Sequence, residues 1–588
     1  MIRTIALLLL LLPGVVRPAL AVETLSPEQL SPGMKGYGLS VFKGTKPERF
    51  EVEIVGVLHN ALPKQDMILI RMSGADLEKH KVIAGMSGSP IYIDGKLIGA
   101  LAYGWSFEND PLAGVTPIRN MMAQMKRPIA SPSTINASVS LGRRSSISAP
   151  FALPGAAFAE AGNDVNVPHP LLTPLSLGGF SSRVLEGFVS KFSRWGIMPI
   201  ATGGASSGPL PRRSGDMEVG GAIGVQLIRG DMSATAVGTA TYIEGNRILA
   251  FGHPFFQGGS VQAPAVLAEV HTIMSSVESS FKMASPIAEI GSMIGDWQSC
   301  IVADSKVQAP MIPVSIDAAN RDLGQSEHYG VEVMNNQMFT PQLVLMAIAQ
   351  AAGSASGSSQ DTTTRISVSA DLAPTKADES ARTVAVTNTF FNPAGGILNM
   401  DGLMPLLAMF NTPFGSPTVK RVGVKIDAAL TRQTADIIRA YFDKSEVQRG
   451  ETVSLKVVLR PFGQAEITKT IPIEVPTAID AQRYLVVTVV GGDSAPPDAA
   501  APDSLDDFLD VIQKGHRNTD LVALLPSRSP GMEYHGKMLK KLPPSAVGTL
   551  EDSSTEDVSV AADMSQLVEP TDWVLSGQAT VRVPIRQE

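Results

Sequence analysis

Along most of the chain, short apolar runs alternate with polar positions and stop at Gly, Pro, Asn or Asp, the period-two pattern that turns successive side chains to opposite faces of a strand. Residues 52–58 and 67–70 read this way, and residues 91–93 and 96–103 flank Asp94-Gly95, a dipeptide suited to a two-residue hairpin turn. Residues 365–370 and 382–387 alternate in the same sense and predict a strand pair. Residues 441–490 combine alternation with the turn spacing of a small β-sandwich, and residues 573–585 read as one or two strands returning to a sheet. Helical spacing is confined to a few stretches. Residues 182–192 carry apolar side chains on one helical face, and residues 341–351 predict a second helix. A third spans 505–514, with Ser504 placed to cap it, Asp506 and Asp507 in its first turn, and Gly515 past its end.

Composition sharpens this into a mainly β expectation. The 53 glycines and 42 prolines suit many short strands joined by turns, and 588 residues are enough for several cores. Loose Ser/Ala/Pro/Gly-rich stretches divide the chain. The expected organisation is a leader at 1–21, a first unit at 22–127, a linker and helical excursion at 128–217, and a second unit at 218–305. An α+β extension of the same body follows at 306–430, then a β-sandwich-like module at 431–493, a linker at 494–503 and an α+β segment at 504–588.

Charge and cysteine usage narrow the function. A net charge of -8 argues against a phosphate-binding surface, so no nucleic-acid partner is expected. The one cysteine, Cys300, permits no intrachain disulfide and sits in no basic or histidine-rich context, so it reads as a buried apolar residue. A basic start, an apolar run at 5–16 and Ala19-Leu-Ala before Val22 read as a secretory signal cleaved after Ala21, which predicts an exported protein, periplasmic or extracellular. That run is shorter than the roughly 20 residues a bilayer needs, and no transmembrane span is expected after its removal. No His/Cys/carboxylate cluster has ligand spacing, so no metal and no cofactor are expected.

The chemistry concentrates in Gly85-Met-Ser-Gly-Ser-Pro. Ser87 is a candidate nucleophile, and the glycines at 85 and 88 leave the backbone open, so that amides among Gly85, Met86 and Ser87 can serve as an oxyanion hole. Together with Phe50-Glu-Val-Glu-Ile-Val, Met67-Ile-Leu-Ile, Gly95-Lys-Leu-Ile-Gly-Ala and Asn109-Asp-Pro, this segment resembles the serine-bearing part of the SpoIVB family of bacterial serine peptidases. Gly221-Ala-Ile-Gly-Val, Gly238-Thr-Ala-Thr-Tyr-Ile-Glu-Gly and Ile248-Leu-Ala-Phe-Gly-His-Pro-Phe resemble that family's histidine-bearing part. The resemblance implies a trypsin-like β-barrel peptidase body assembled from two separated segments, with Ser87 as nucleophile and His253 as general base, acting on a protein or peptide substrate, envelope proteins among them.

Three points depart from the family pattern or stay open. The histidine segment follows the serine segment here, the reverse of the family order, which requires the two to form one body. The acid has no clean match, and Asp296, in Ile294-Gly-Asp-Trp, and Asp76 are its alternatives. His59, ahead of the serine, is a second candidate base, whereas His80, His169, His271, His328, His516 and His535 show no spacing that singles them out. Against the enzyme stands a non-catalytic envelope scaffold that keeps a peptidase-like fold.

Overall fold

The computed structural model describes residues 22–586 apart from 106–109, 129–166, 194, 204–209, 214, 278, 358–359, 375–380, 395–399, 413, 416, 477–483, 497–501, 503, 527–530, 535–536, 540–557 and 562–563. The leader read at 1–21, most of the loose stretch after 128, Asn109 and His535 lie outside the described residues. No helix among the described residues is long and apolar enough to cross a membrane.

The chain is mainly β and begins with a closed barrel. Its elements are β1 (Lys35–Ser40), β2 (Glu48–Leu62), β3 (Gln65–Ser73), α1 (Leu77–His80), β4 (Ile83–Ala84), β5 (Pro90–Ile93), β6 (Lys96–Gly104), β7 (Leu112–Pro117) and α2 (Ile118–Met125). Strand order β5-β1-β2-β3-β7-β6, with β5 pairing back onto β6, makes an antiparallel ring of six. The Asp94-Gly95 turn has both residues at positive φ, 50° and 76°, as a two-residue hairpin that follows the strand twist requires. The alternating set Phe50, Val52 and Ile54 on β2, with Ile68, Ile70 and Met72 on β3, points into the ring and is buried.

After β8 (His169–Pro170), β9 (Thr173–Gly178), α3 (Ser182–Ser193) and β10 (Ile197–Ala201) comes a second set of six strands. These are β11 (Ala222–Gly230), β12 (Ser233–Glu244), β13 (Arg247–Ala250), β14 (Ala263–Met274), β15 (Ser280–Trp297) and β16 (Cys300–Asp304). Each pairs antiparallel with its neighbour in the order β11-β12-β13-β16-β15-β14 and back to β11, so this ring also closes. Bulges along β14 and β15 supply the bending that closure needs. The two barrels are joined by backbone as well as by side chains. β4 of the first pairs in parallel with β15 of the second, and Gly44 bridges to Val270. One apolar cluster mixes Leu97, Ala100 and Met121 with Leu249, Cys300 and Val302. Cys300 is buried, and burial pushes its thiol up.

The second barrel's sheet continues from β11 into β17 (Met311–Asn320), β18 (Gln325–Met334), β19 (Thr362–Leu372), β20 (Arg382–Asn392) and β21 (Val419–Ala429), with α4 (Thr340–Ser356) and α5 (Met404–Leu407) in its core. The remaining elements are β22 (Thr434–Phe442), β23 (Thr452–Pro461), β24 (Ile467–Glu474), β25 (Tyr484–Gly491), α6 (Leu505–Gln513), β26 (Asp520–Pro526), β27 (Gly531–Tyr534), β28 (Lys537–Leu539), β29 (Val558–Ala561), β30 (Met564–Pro570), β31 (Val574–Ser576) and β32 (Gln578–Pro584). Sheets β24-β23-β22-β31 and β30-β26-β25-β32 enclose one core that includes Ile437, Leu455, Val487, Leu521 and Val583, so the sandwich runs well beyond residue 493. The reason is long-range pairing, because β25 finds both of its partners in later sequence. α6 packs elsewhere: Ser504 caps it, while Leu509 and Ile512 join the core of the 306–430 region.

Candidate active site

Ser87 sits in the turn between β4 and β5, with Gly85 at φ 95° and Gly88 at φ 97° on either side of it. The turn is held from both barrels. Within the first, Met86 N–H donates to Ile83 O, Ser89 N–H to Met86 O, and Gly88 N–H to Leu101 O. From the second, Thr239 N–H donates to Ser87 O at 2.8 Å, Thr239 Oγ1 to Gly85 O at 3.0 Å, and Thr241 Oγ1 to Gly88 O at 2.7 Å. β12 therefore reads the serine turn along its whole length. The Ser87 side chain itself is 0% exposed, and its Oγ has no hydrogen-bond partner among the described residues. Such an orphaned buried hydroxyl costs free energy and calls for an explanation. The Met86 amide is committed to Ile83 O, so an oxyanion hole built from 85–87 draws on Gly85 and Ser87 N–H.

His253 follows β13 through Phe251 and Gly252, both at φ 70°. Phe251 N–H donates to Thr239 O, and Thr116 Oγ1 of β7 donates to Gly252 O at 2.6 Å. A Cβ at Gly88 would stand 2.5 Å from Phe251 N, and one at Gly252 would stand 3.1 Å from both Ala100 and Ala102 Cβ. The turns carrying Ser87 and His253 thus touch at backbone distance. The imidazole is 1% exposed, and its Nδ1 lies 2.7 Å from Pro254 O. A carbonyl only accepts, so Nδ1 carries the proton and Nε2 is the lone-pair nitrogen, the tautomer a base requires. Nε2 is buried and without a partner among the described residues, so it makes no hydrogen bond to Ser87 Oγ in this state. Burial lowers the imidazole's pKa to about 4.

That shift has a sign. Folded His253 resists protonation more than its unfolded form with a pKa of 6.5, so its contribution to stability is complete above pH 6.5 and is lost as pH falls toward 4. The loss reaches at most about 3 kcal/mol at about 1.4 kcal/mol per unit. Asp296 tilts the other way, since burial raises its pKa to about 6, but it is common to wild type and variant. The unfolding free energy of wild type minus that of His253→Gln is therefore expected to fall between pH 7 and pH 4. Parallel pH dependences in urea titrations would show that the imidazole is not held neutral.

The acid candidates separate. Asp296 is buried on β15, and its carboxylate accepts from Phe255 N–H at 2.7 Å, Phe256 N–H at 2.8 Å and Gly258 N–H at 3.0 Å. It organises the turn that follows His253, while the Nδ1 proton is held by Pro254 O. Asp76 is exposed, at positive φ ahead of α1, and cannot face a buried imidazole whose Nδ1 is already engaged. His59 is exposed and lies 3.5 Å from Asp66, whereas Ser87 is fully buried. His271 contacts Ser285, His328 pairs with Asp317, His516 with Gln566, and His169 Nδ1 meets Pro170 O; His80 lies in α1.

One charged residue of the site was absent from the sequence reading. Lys282 of β15 is 0% exposed, and its Nζ donates to Ser40 Oγ of β1 at 2.9 Å and to Thr239 Oγ1 at 3.3 Å. Ser89 Oγ also donates to Ser40 Oγ, at 3.1 Å. The signal was in the alternation, because Ser280, Lys282 and Ala284 share the inward phase of one strand.

No curated protein and no solved structure matches the chain. The histidine-bearing barrel lies outside the one stretch that a family model covers, which runs over residues 26–122 and takes in β1 to β7 with the whole serine turn. That model is the SpoIVB peptidase S55, and it is the serine-bearing barrel through which the chain is similar to the SpoIVB peptidases.

Proposed function

We propose that this protein is an exported serine endopeptidase that cleaves a protein or peptide substrate through an acyl-enzyme. Ser87 Oγ attacks the scissile carbonyl carbon while its proton passes to His253 Nε2. The tetrahedral oxyanion is met by Gly85 and Ser87 N–H, and Nε2 then protonates the leaving amine as the carbon–nitrogen bond breaks. Water deprotonated by the same nitrogen hydrolyses the ester and returns the proton to Oγ. Pro254 O takes the orienting role of a triad carboxylate, and Asp296 supports it by holding the turn at 255–258. The observation that carries the reading is the pair of orphaned buried atoms, Ser87 Oγ and His253 Nε2, on touching turns of two barrels. Both are sealed from solvent, so turnover requires an opening motion that also brings Oγ and Nε2 within hydrogen-bond reach.

The sealed site favours one other reading, a non-catalytic envelope scaffold on a peptidase fold. A fluorophosphonate probe separates the two. The enzyme becomes labelled at Ser87, and the label maps to the peptide containing residues 85–90. Absence of labelling in the folded, full-length chain, with and without added peptide substrates, would establish the scaffold.

A further inference from the structure

We propose that Lys282 is a positioning residue that couples the proton on its Nζ, through the hydroxyls of Ser40 and Thr239, to the conformation of the serine turn and so to the reactivity of Ser87. The inference rests on the peptidase reading for its kinetic consequence only; the coupling itself is a property of the structure. Nζ reaches the turn by two routes. Through Thr239 it is linked to Gly85 O, since Thr239 Oγ1 accepts from Nζ at 3.3 Å and donates to Gly85 O at 3.0 Å. Through Ser40 it is linked to Ser89, whose hydroxyl donates to Ser40 Oγ at 3.1 Å. The two routes grip the turn on both sides of Ser87. The lysine stem lies against it as well, because a Cβ at Gly85 would stand 3.2 Å from Lys282 Cδ and 3.3 Å from its Cβ.

What makes this amine unusual is what it lacks. On the strands that contact β15 or supply a partner of Nζ, β1 carries Lys35 and Tyr37, β11 carries Arg229, β12 carries Tyr242 and Glu244, β14 carries Glu269 and His271, β16 carries Asp304, and β15 itself carries Glu289 and Asp296. None of these forms an ion pair with Nζ. Burial alone acts on it and lowers its pKa to about 7. A buried, unneutralised ammonium opposes folding. Its folded pKa lies below the unfolded 10.5, so its cost is greatest at and below pH 7 and disappears as pH rises toward 10.5. In the ammonium form Nζ donates to both hydroxyls. As the free amine it can accept from one of them, which reverses that hydroxyl's proton and removes a donor from the network. The turn therefore has two hydrogen-bond patterns that exchange near neutral pH.

The experiment uses the full chain, with two readouts. The first is the Met86 ε-methyl resonance, since Met86 is buried in the turn next to Ser87. In wild type it is expected to shift with a midpoint near pH 7, and in Lys282→Met that step is expected to vanish while the melting temperature rises. Lys282→Arg restores two donors that stay protonated, so it is expected to keep the turn's low-pH resonance at every pH. The second is the pH dependence of fluorophosphonate labelling, in which Lys282→Met should lose the limb near pH 7 and label about tenfold to a hundredfold more slowly. Should Lys282→Met fail to fold, Ser40→Ala cuts one route and is expected to reduce the amplitude of the Met86 step. A Met86 methyl that does not titrate in wild type, or whose step survives both Lys282→Met and Lys282→Arg or is untouched by Ser40→Ala, overturns the coupling. A wild-type chain whose methyl titrates as expected but which never labels leaves the coupling standing and removes the peptidase reading.

Discussion

Ser87→Ala is expected to abolish peptide hydrolysis and labelling while leaving the fold intact or slightly more stable. The stability half of the expectation comes from the orphaned hydroxyl. Ser87 Oγ is buried with no partner among the described residues, so removing it relieves an unsatisfied polar group and leaves a hole of only one oxygen. The activity half comes from its position between Gly85 and Gly88, with Ser87 O fixed by Thr239 N–H. Where serine and histidine act as a unit, each single loss costs about as much as losing both, on the order of 10⁶ in kcat in the best-studied protease. His253→Ala should then match Ser87→Ala, and the double variant should be little worse than either. Additive losses would mean that the two residues do not share one reaction. A Ser87→Ala chain that still cleaves would move the nucleophile elsewhere, with Ser89 the next hydroxyl along the turn.

The sequence made the local elements legible because they depend on neighbours in the chain. Asp94-Gly95 between alternating runs has one favoured geometry, and β5 and β6 adopt it. Ser504 three residues before Asp507 accepts that residue's N–H, as its spacing predicts. The β-barrel body followed from the family resemblance carried by residues 50–125 and 221–260, not from alternation, which cannot say whether six strands close. What stayed hidden depends on partners far along the chain. Asp296 is held by three backbone amides some forty residues before it, and amides carry no residue-type signal. Lys282 meets Ser40 across 242 positions, and a lone lysine in a strand reads as solvent-facing until its phase is compared with Ser280 and Ala284. The sandwich was truncated for the same reason, since β25 pairs with β26 and β32 across a Pro/Ala break that reads as a boundary.

Gly88→Ala is expected to be strongly disruptive, and it tests whether the two turns really meet at backbone distance. An added Cβ would lie 2.0 Å from Thr239 O, 2.5 Å from Phe251 N and 3.0 Å from Phe251 Cα, all of them main-chain atoms that no rotamer change can withdraw. Gly88 also has φ 97°, which an alanine adopts only with strain. Overpacking of this kind costs about 1–3 kcal/mol and the backbone conformation about 1–2 kcal/mol more, so a loss of roughly 2–5 kcal/mol is expected if the barrels stay together. If they part instead, β12 loses its grip on the serine turn, and labelling at Ser87 falls even where the rest of the chain stays folded. Gly95→Ala is the matched control. That glycine has φ 76° and open space around it, so its substitution carries the backbone cost alone, about 1–2 kcal/mol. Urea midpoints for the two variants measure the difference directly. Equal losses would mean that nothing crowds Gly88, and that the Ser87 turn and the His253 turn stand further apart than the contact of β12, β13 and the serine turn requires.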